Sequence, residues 1–151
     1  MKQAFACCVI ALLLSVSSIF AEEKETKVAL KDLPPAAQKA VQNLIKGAEL
    51  KGLSKEEENG KTVYEVETLK NGKTRNALID AGGAILEIEE STDLNEIPGP
   101  AKIAIEKASA GGKITKVETV TKGGATTYEA AIKKAGKSSE IKLKADGSKI
   151  K

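Results

Sequence analysis

The sequence predicts an α+β fold of two tandem repeats, each one helix packed on a four-stranded antiparallel β-meander. Three observations carry this reading. The chain matches itself without a gap at an offset of 64 residues. Each copy opens with a proline-led amphipathic segment. That segment then gives way to period-two alternation cut by glycine turns. Pro34 falls on Pro98, Gly47 on Gly111, Gly60 on Gly124, Tyr64-Glu65 on Tyr128-Glu129, Gly72-Lys73 on Gly136-Lys137 and Gly83 on Gly147. Apolar positions agree where letters differ: Leu33 with Ile97, Val41 with Ile105, Leu53 with Val117 and Ile79 with Leu143.

Residues 1–21 read as an export signal. Lys2 supplies a positive start, Ala4 to Leu14 are mostly apolar, and Ala21 is a small residue at a cleavage position before Glu22-Glu23-Lys24-Glu25. The apolar run is shorter than the roughly 20 residues a spanning helix needs, so membrane attachment is expected only through an uncleaved signal. Cys7 and Cys8 both lie inside this run. The exported chain therefore has no disulfide, and burial alone must stabilise it. Residues 22–28 form a charged segment, residues 29–90 the first repeat and residues 91–151 the second.

In the first repeat Asp32 is the expected N-cap, and Pro34 and Pro35 suit the first turn, where a missing N–H costs little. Ala37, Ala40, Val41, Leu44 and Ile45 form one apolar stripe, and Gly47 ends the helix. Strands are expected at 48–57, 62–69, 73–80 and 84–89, separated by Asn59-Gly60, Asn71-Gly72 and Gly82-Gly83. Tyr64, Val66, Ala77, Ile79, Leu86 and Ile88 would share the face beneath the helix. In the second repeat Asn95 is the expected cap, Ala101, Ala104, Ile105 and Ala108 form the stripe, and Gly111 ends it. The second buried face would be Tyr128, Ala130, Ile132, Ile141, Leu143 and Ile150.

The same alternation places Val63, Glu65, Glu67, Leu78, Asp80, Glu87 and Glu89 on the uncovered face of the first repeat. The second repeat presents Thr127, Glu129, Ala131, Lys133, Lys142, Lys144, Lys149 and Lys151 there. Charge divides in the same way. Residues 22–90 carry 11 basic and 14 acidic residues, net −3, whereas residues 91–151 carry 12 and 7, net +5. A bipolar face can steer a charged partner, and it can equally be a solvated sheet surface. The candidate partner-binding residues are Glu65, Glu67 and Asp80 in the first repeat, with Lys133, Lys142 and Lys144 in the second.

Composition argues against catalysis. The chain has no histidine, and no cysteine beyond the signal, so the usual bases, nucleophiles and soft metal ligands are missing. No catalytic, metal-binding or cofactor-binding residue is assigned. Paired carboxylates are present, but the sequence indicates no buried pocket that would raise an acid, and Glu56-Glu57-Glu58 reads as a solvated run. Nucleic acid is not expected, since the basic half has neither arginine nor an exposed aromatic for stacking.

The motifs Leu33-Pro34-Pro35-Ala36-Ala37, Tyr64-Glu65-Val66-Glu67, Asn71-Gly72-Lys73 and Ile79-Asp80 with Gly83, Ile85 and Leu86 resemble the PepSY-like family. That family is related in architecture to the β-lactamase inhibitory proteins. The resemblance spans both repeats, more faintly in the second at Ile97-Pro98-Gly99-Pro100 and Tyr128-Glu129-Ala130-Ala131. It implies an exported bacterial module with a helix on an antiparallel sheet. In the inhibitory relatives, two such units form one sheet whose open face clamps an enzyme with aromatic anchors. This sequence departs from that pattern, because its expected open face has no aromatics, which argues against a β-lactamase as target. The expectation is a non-catalytic periplasmic or secreted binding module that engages a protein or peptide and restrains an enzyme such as a peptidase. The competing reading is a structural or ion-buffering envelope protein without a specific macromolecular partner.

Overall fold

The computed structural model describes residues 25–58 and 60–150. The signal assigned to residues 1–21 lies outside the described residues. The described chain forms an eight-stranded antiparallel sheet in sequential order, β1 to β8, with two α-helices. The strands are β1 (Thr26–Lys27), β2 (Glu49–Glu58), β3 (Lys61–Lys70), β4 (Lys73–Asp80), β5 (Ile85–Ser91), β6 (Lys113–Lys122), β7 (Ala125–Lys134) and β8 (Lys137–Leu143). The helices are α1 (Pro35–Leu44) and α2 (Gly99–Ala108).

This corrects the expected fold of two helix-plus-four-strand repeats. The strands do not close into two separate meanders. The outer edge of β5 pairs with β6 from Glu87↔Lys122 to Ser91↔Glu118, making one continuous sheet. An unpaired strand edge leaves N–H and C=O groups without protein partners, and this pairing satisfies them. Two further departures follow. The charged segment before α1 supplies β1, which pairs with β2 through Thr26↔Lys55 and Lys27↔Ser54. Past β8 the fourth strand expected in the second half is reduced to one bridge, Leu143↔Lys149.

The strands themselves form where alternation and turns put them. Asn71 and Gly72 both take positive φ in the β3–β4 turn, as a two-residue hairpin loop requires. The 64-residue offset recurs in the pairing, since Leu53↔Val66 corresponds to Val117↔Ala130. It recurs in irregularity too, with register shifts between Leu50 and Gly52 and between Ile114 and Lys116.

Neither helix uses its expected cap. Pro34 and Pro98 occupy the N-cap positions, and Asp32 lies in a short 3-10 turn, Leu30–Asp32. Proline fixes φ near the helical value and needs no N–H there, so it starts the helix without a side-chain acceptor. The Asn95 amide oxygen instead accepts a hydrogen bond from Lys102 Nζ at 2.7 Å.

Both helices cover the same side of the sheet, in two separate apolar cores. Ala37 and Val41 of α1 pack with Leu33, Leu53, Tyr64, Val66 and Ile79. Ala101 and Ile105 of α2 pack with Ile97, Val117, Ala130, Ile132, Ile141 and Leu143. Helices of ten residues are marginal alone, and these apolar faces hold them. Gly83 and Gly147 end this packing tightly. A Cβ on either would lie 2.6 Å from a helix carbonyl oxygen, that of Ala36 or Pro100.

Candidate functional site

Among the described residues the opposite side of the sheet carries no helix, and cross-strand register determines which side chains meet on it. Glu65 on β3 faces Ser54 on β2 and Leu78 on β4, and Leu78 faces Glu87 on β5. Glu87 faces Lys122 on β6, while Glu118 faces Glu129 on β7, which faces Lys142 on β8. Two rows therefore cross this face, Ser54, Glu65, Leu78, Glu87 and Lys122 from β2 to β6, and Glu118, Glu129 and Lys142 from β6 to β8, offset by four residues along β6. Both tyrosines, Tyr64 and Tyr128, pack in the cores on the helix side, so among the described residues this open face has no aromatic.

Its acidic end is a shallow pocket of about 260 Å³, lined by Glu56, Glu65, Asn76, Leu78, Glu87 and Glu89 among others. Asn76 Nδ2 donates to Glu65 Oε1 at 3.2 Å. Glu25, Glu56 and Glu65 bring carboxylate oxygens within 4.8 Å of one another. Burial, followed by the charges of Glu56, Glu67 and Glu25, pushes the Glu65 carboxyl up to about 7. Glu89 is raised in the same way, by burial and then by Glu118 and Glu87. Three carboxylates are fewer than the six to eight oxygens that calcium takes. No metal site is assigned to them.

The other end is neutralised within itself. Lys122 Nζ lies 2.6 Å from Glu87, Lys116 Nζ 2.7 Å from Glu118, and Lys142 Nζ 2.9 Å from Glu129 and 3.2 Å from Glu140. Burial raises the Glu129 carboxyl, and its hydrogen bond to Glu140 holds that neighbour low. The hydrogen bond to Glu129 keeps Lys142 firmly charged.

The six sequence-derived candidates are thus dispersed. Glu65 sits in the acidic pocket, and Glu67 lies beside it over Gly52, where a Cβ would come 2.6 Å from its Oε2. Asp80 Oδ1 accepts the Ala84 N–H at 2.8 Å and so closes its own turn. Lys142 is engaged by two carboxylates. Lys133 on β7 and Lys144, just past β8, are exposed and make no ion pair among the described residues. Sequence reasoning missed Glu25, because β1 was not expected, and Glu56, taken as part of a solvated run. Alternation along β2 puts Glu56 opposite Val63 on the open face, and that signal could have found it. Lys122 depended on the β5–β6 pairing, which sets it opposite Glu87, and Lys116 is held by Glu118 two residues along its own strand.

Comparison with known proteins places this architecture. Residues 27–89 match the family described as peptidase propeptide and YPEB domain, PepSY. No curated protein matches the sequence. Among solved structures, a DUF2874 family protein from Bacteroides uniformis is similar at TM-score 0.63 and 17% identity, over 78% of this chain and 86% of that one. A candidate periplasmic protein from Bacteroides eggerthii is similar at TM-score 0.65 and 14% identity, over 79% and 86%. A BLIP-like protein from Bacteroides fragilis is similar at TM-score 0.56 and 18% identity, over 77% and 82%. At these identities the likeness is one of fold. Residues 27–89 thus resemble a PepSY domain, and the chain is similar in fold to a BLIP-like protein.

Proposed function

We propose that this chain is a non-catalytic, exported binding module that engages a protein or peptide through the open face of its sheet and restrains an enzyme such as a peptidase. The observation that supports this reading most is the continuous sheet with both helices on one side. It leaves a broad face of charged side chains without apolar cover from the described residues. The PepSY match in residues 27–89 and the BLIP-like fold support the same reading. Within it, Glu67 presents negative charge, Glu65 a carboxyl raised to about 7 by burial and so only partly ionised near neutrality, and Lys133 and Lys144 offer cations without ion pairs among the described residues. The location is the periplasm or the exterior, and no described helix is long and apolar enough to cross a membrane.

Immobilised full-length chain, challenged with an envelope extract, tests the proposal. Saturable retention of one protein, whose activity falls on addition of the chain, is the expected result. K133E/K144E should weaken that retention and its salt dependence. K133E/K142E/K144E goes further but sets a carboxylate beside Glu129 and Glu140, so the double variant is the cleaner probe. Retention that is only salt-labile and unsaturable would instead support a structural or ion-buffering protein.

A further inference from the structure

The helix side of the sheet should be apolar throughout, yet between the two cores it is not. Register aligns Thr68, Arg75, Glu90 and Thr119 in one row across β3 to β6. At the 64-residue offset, Thr68 and Arg75 correspond to Ile132 and Ser139. Ile132 is buried in the second core, so the geometry does not require polar residues at these positions. Local departure from the pattern that builds a fold is a mark of function.

This row forms the floor of a cavity of about 590 Å³ beside the end of α1 and the β3–β4 turn. Its lining includes Lys46, Lys70, Lys73 and Arg75, with Glu90 as its one carboxylate. Arg75 is the only arginine in the sequence. Its Nε is enclosed and lies 3.4 Å from Glu90 Oε1, yet makes no hydrogen bond. Lys70 has no ion pair among the described residues, Lys46 holds only the Asn43 amide oxygen, and Lys73 pairs with Glu96 at 2.8 Å. The C-terminal end of α1 opposes an anion with roughly half an elementary charge, well below the cationic excess.

We propose that this cavity binds a small phosphate-bearing solute, with Arg75 and Lys70 as its principal contacts. Guanidinium presents a planar fork of N–H donors matched to phosphate oxygens, and lysines add point charge. Several cations held close together favour a dianionic or more highly charged group over a single carboxylate. The cavity lies on the face away from the open surface, so this proposal stands apart from partner binding there.

Calorimetric titration of the full chain with inorganic phosphate and with pyrophosphate tests it. Saturable one-to-one binding, tighter for pyrophosphate and weakened by added salt, is expected. R75K, which keeps charge but loses the fork, should weaken binding about tenfold. K70A should weaken it several-fold at an exposed position, and K61A, exposed at the far end of β3 and outside the cavity lining, should change nothing. No saturable heat with either probe, or unchanged affinity in both R75K and K70A, would overturn the proposal. Binding of a poly-glutamate peptide without binding of pyrophosphate would overturn it too.

Discussion

Glu65 makes the stability of the fold depend on pH, and Glu65→Gln isolates the effect. Its carboxyl is raised from 4.5 to about 7 because burial and the neighbouring acids Glu56, Glu67 and Glu25 disfavour its charge. The folded state therefore holds this proton more tightly than the unfolded chain. The stabilisation is complete below pH 4.5 and is lost as pH rises to 7. Taken at face value the shift is worth roughly 3 kcal/mol. The site is half-exposed, and solvent screening cuts this to about 1–2 kcal/mol. The amide of E65Q cannot ionise, so the variant should match wild type near pH 4 and exceed it by about 1–2 kcal/mol at pH 8. Glu89 and Glu129 slope the same way in both proteins, which makes the difference between the two curves the quantity to read. Urea denaturation at half-unit steps from pH 4 to 8 gives that difference. A wild-type and E65Q pair whose curves stay parallel across pH 4.5–7 would refute the account of the acidic pocket.

Two glycines with nearly equal φ separate strain from crowding. Gly83→Ala meets a fixed backbone carbonyl at 2.6 Å and should cost about 2–4 kcal/mol. Gly60→Ala has nothing within 4 Å and should cost only about 1 kcal/mol in the same assay, and equal losses would contradict the packing described. Ile79→Ala, at a fully buried position, should lower stability by about 2–5 kcal/mol. Ile103→Ala, 64% exposed on α2, should stay within about 0.5 kcal/mol of wild type, read by thermal unfolding.

How much of this was legible in the sequence depends on the range of the interactions. The strands and the faces of Tyr64, Val66 and Ile79 follow from local alternation and from Asn71-Gly72, whose backbone needs are met within a few residues. The joining of the two halves was not legible. It rests on pairs such as Glu89↔Val120, distant in sequence and indistinguishable by pattern from a solvated edge. The candidate site failed in the same way. Glu65 was found by alternation, but its raised carboxyl depends on Glu25 and Glu56, delivered by β1 and β2. Lys142 read as a free cation because Glu129 is opposite it only once β7 and β8 are in register.

Because each apolar core ends before the junction, the β5–β6 ladder is held by backbone hydrogen bonds, side-chain charge and the buried Val120, with no described helix clasping it. Opening there breaks few apolar contacts, so amides along 87–91 should exchange earlier than those of β3 or β7. A bend at that line would change the curvature of the whole platform and pull Glu87 from Lys122. The molecule thus has a natural crease, along which a rigid partner could flatten it or fold it without disturbing either core.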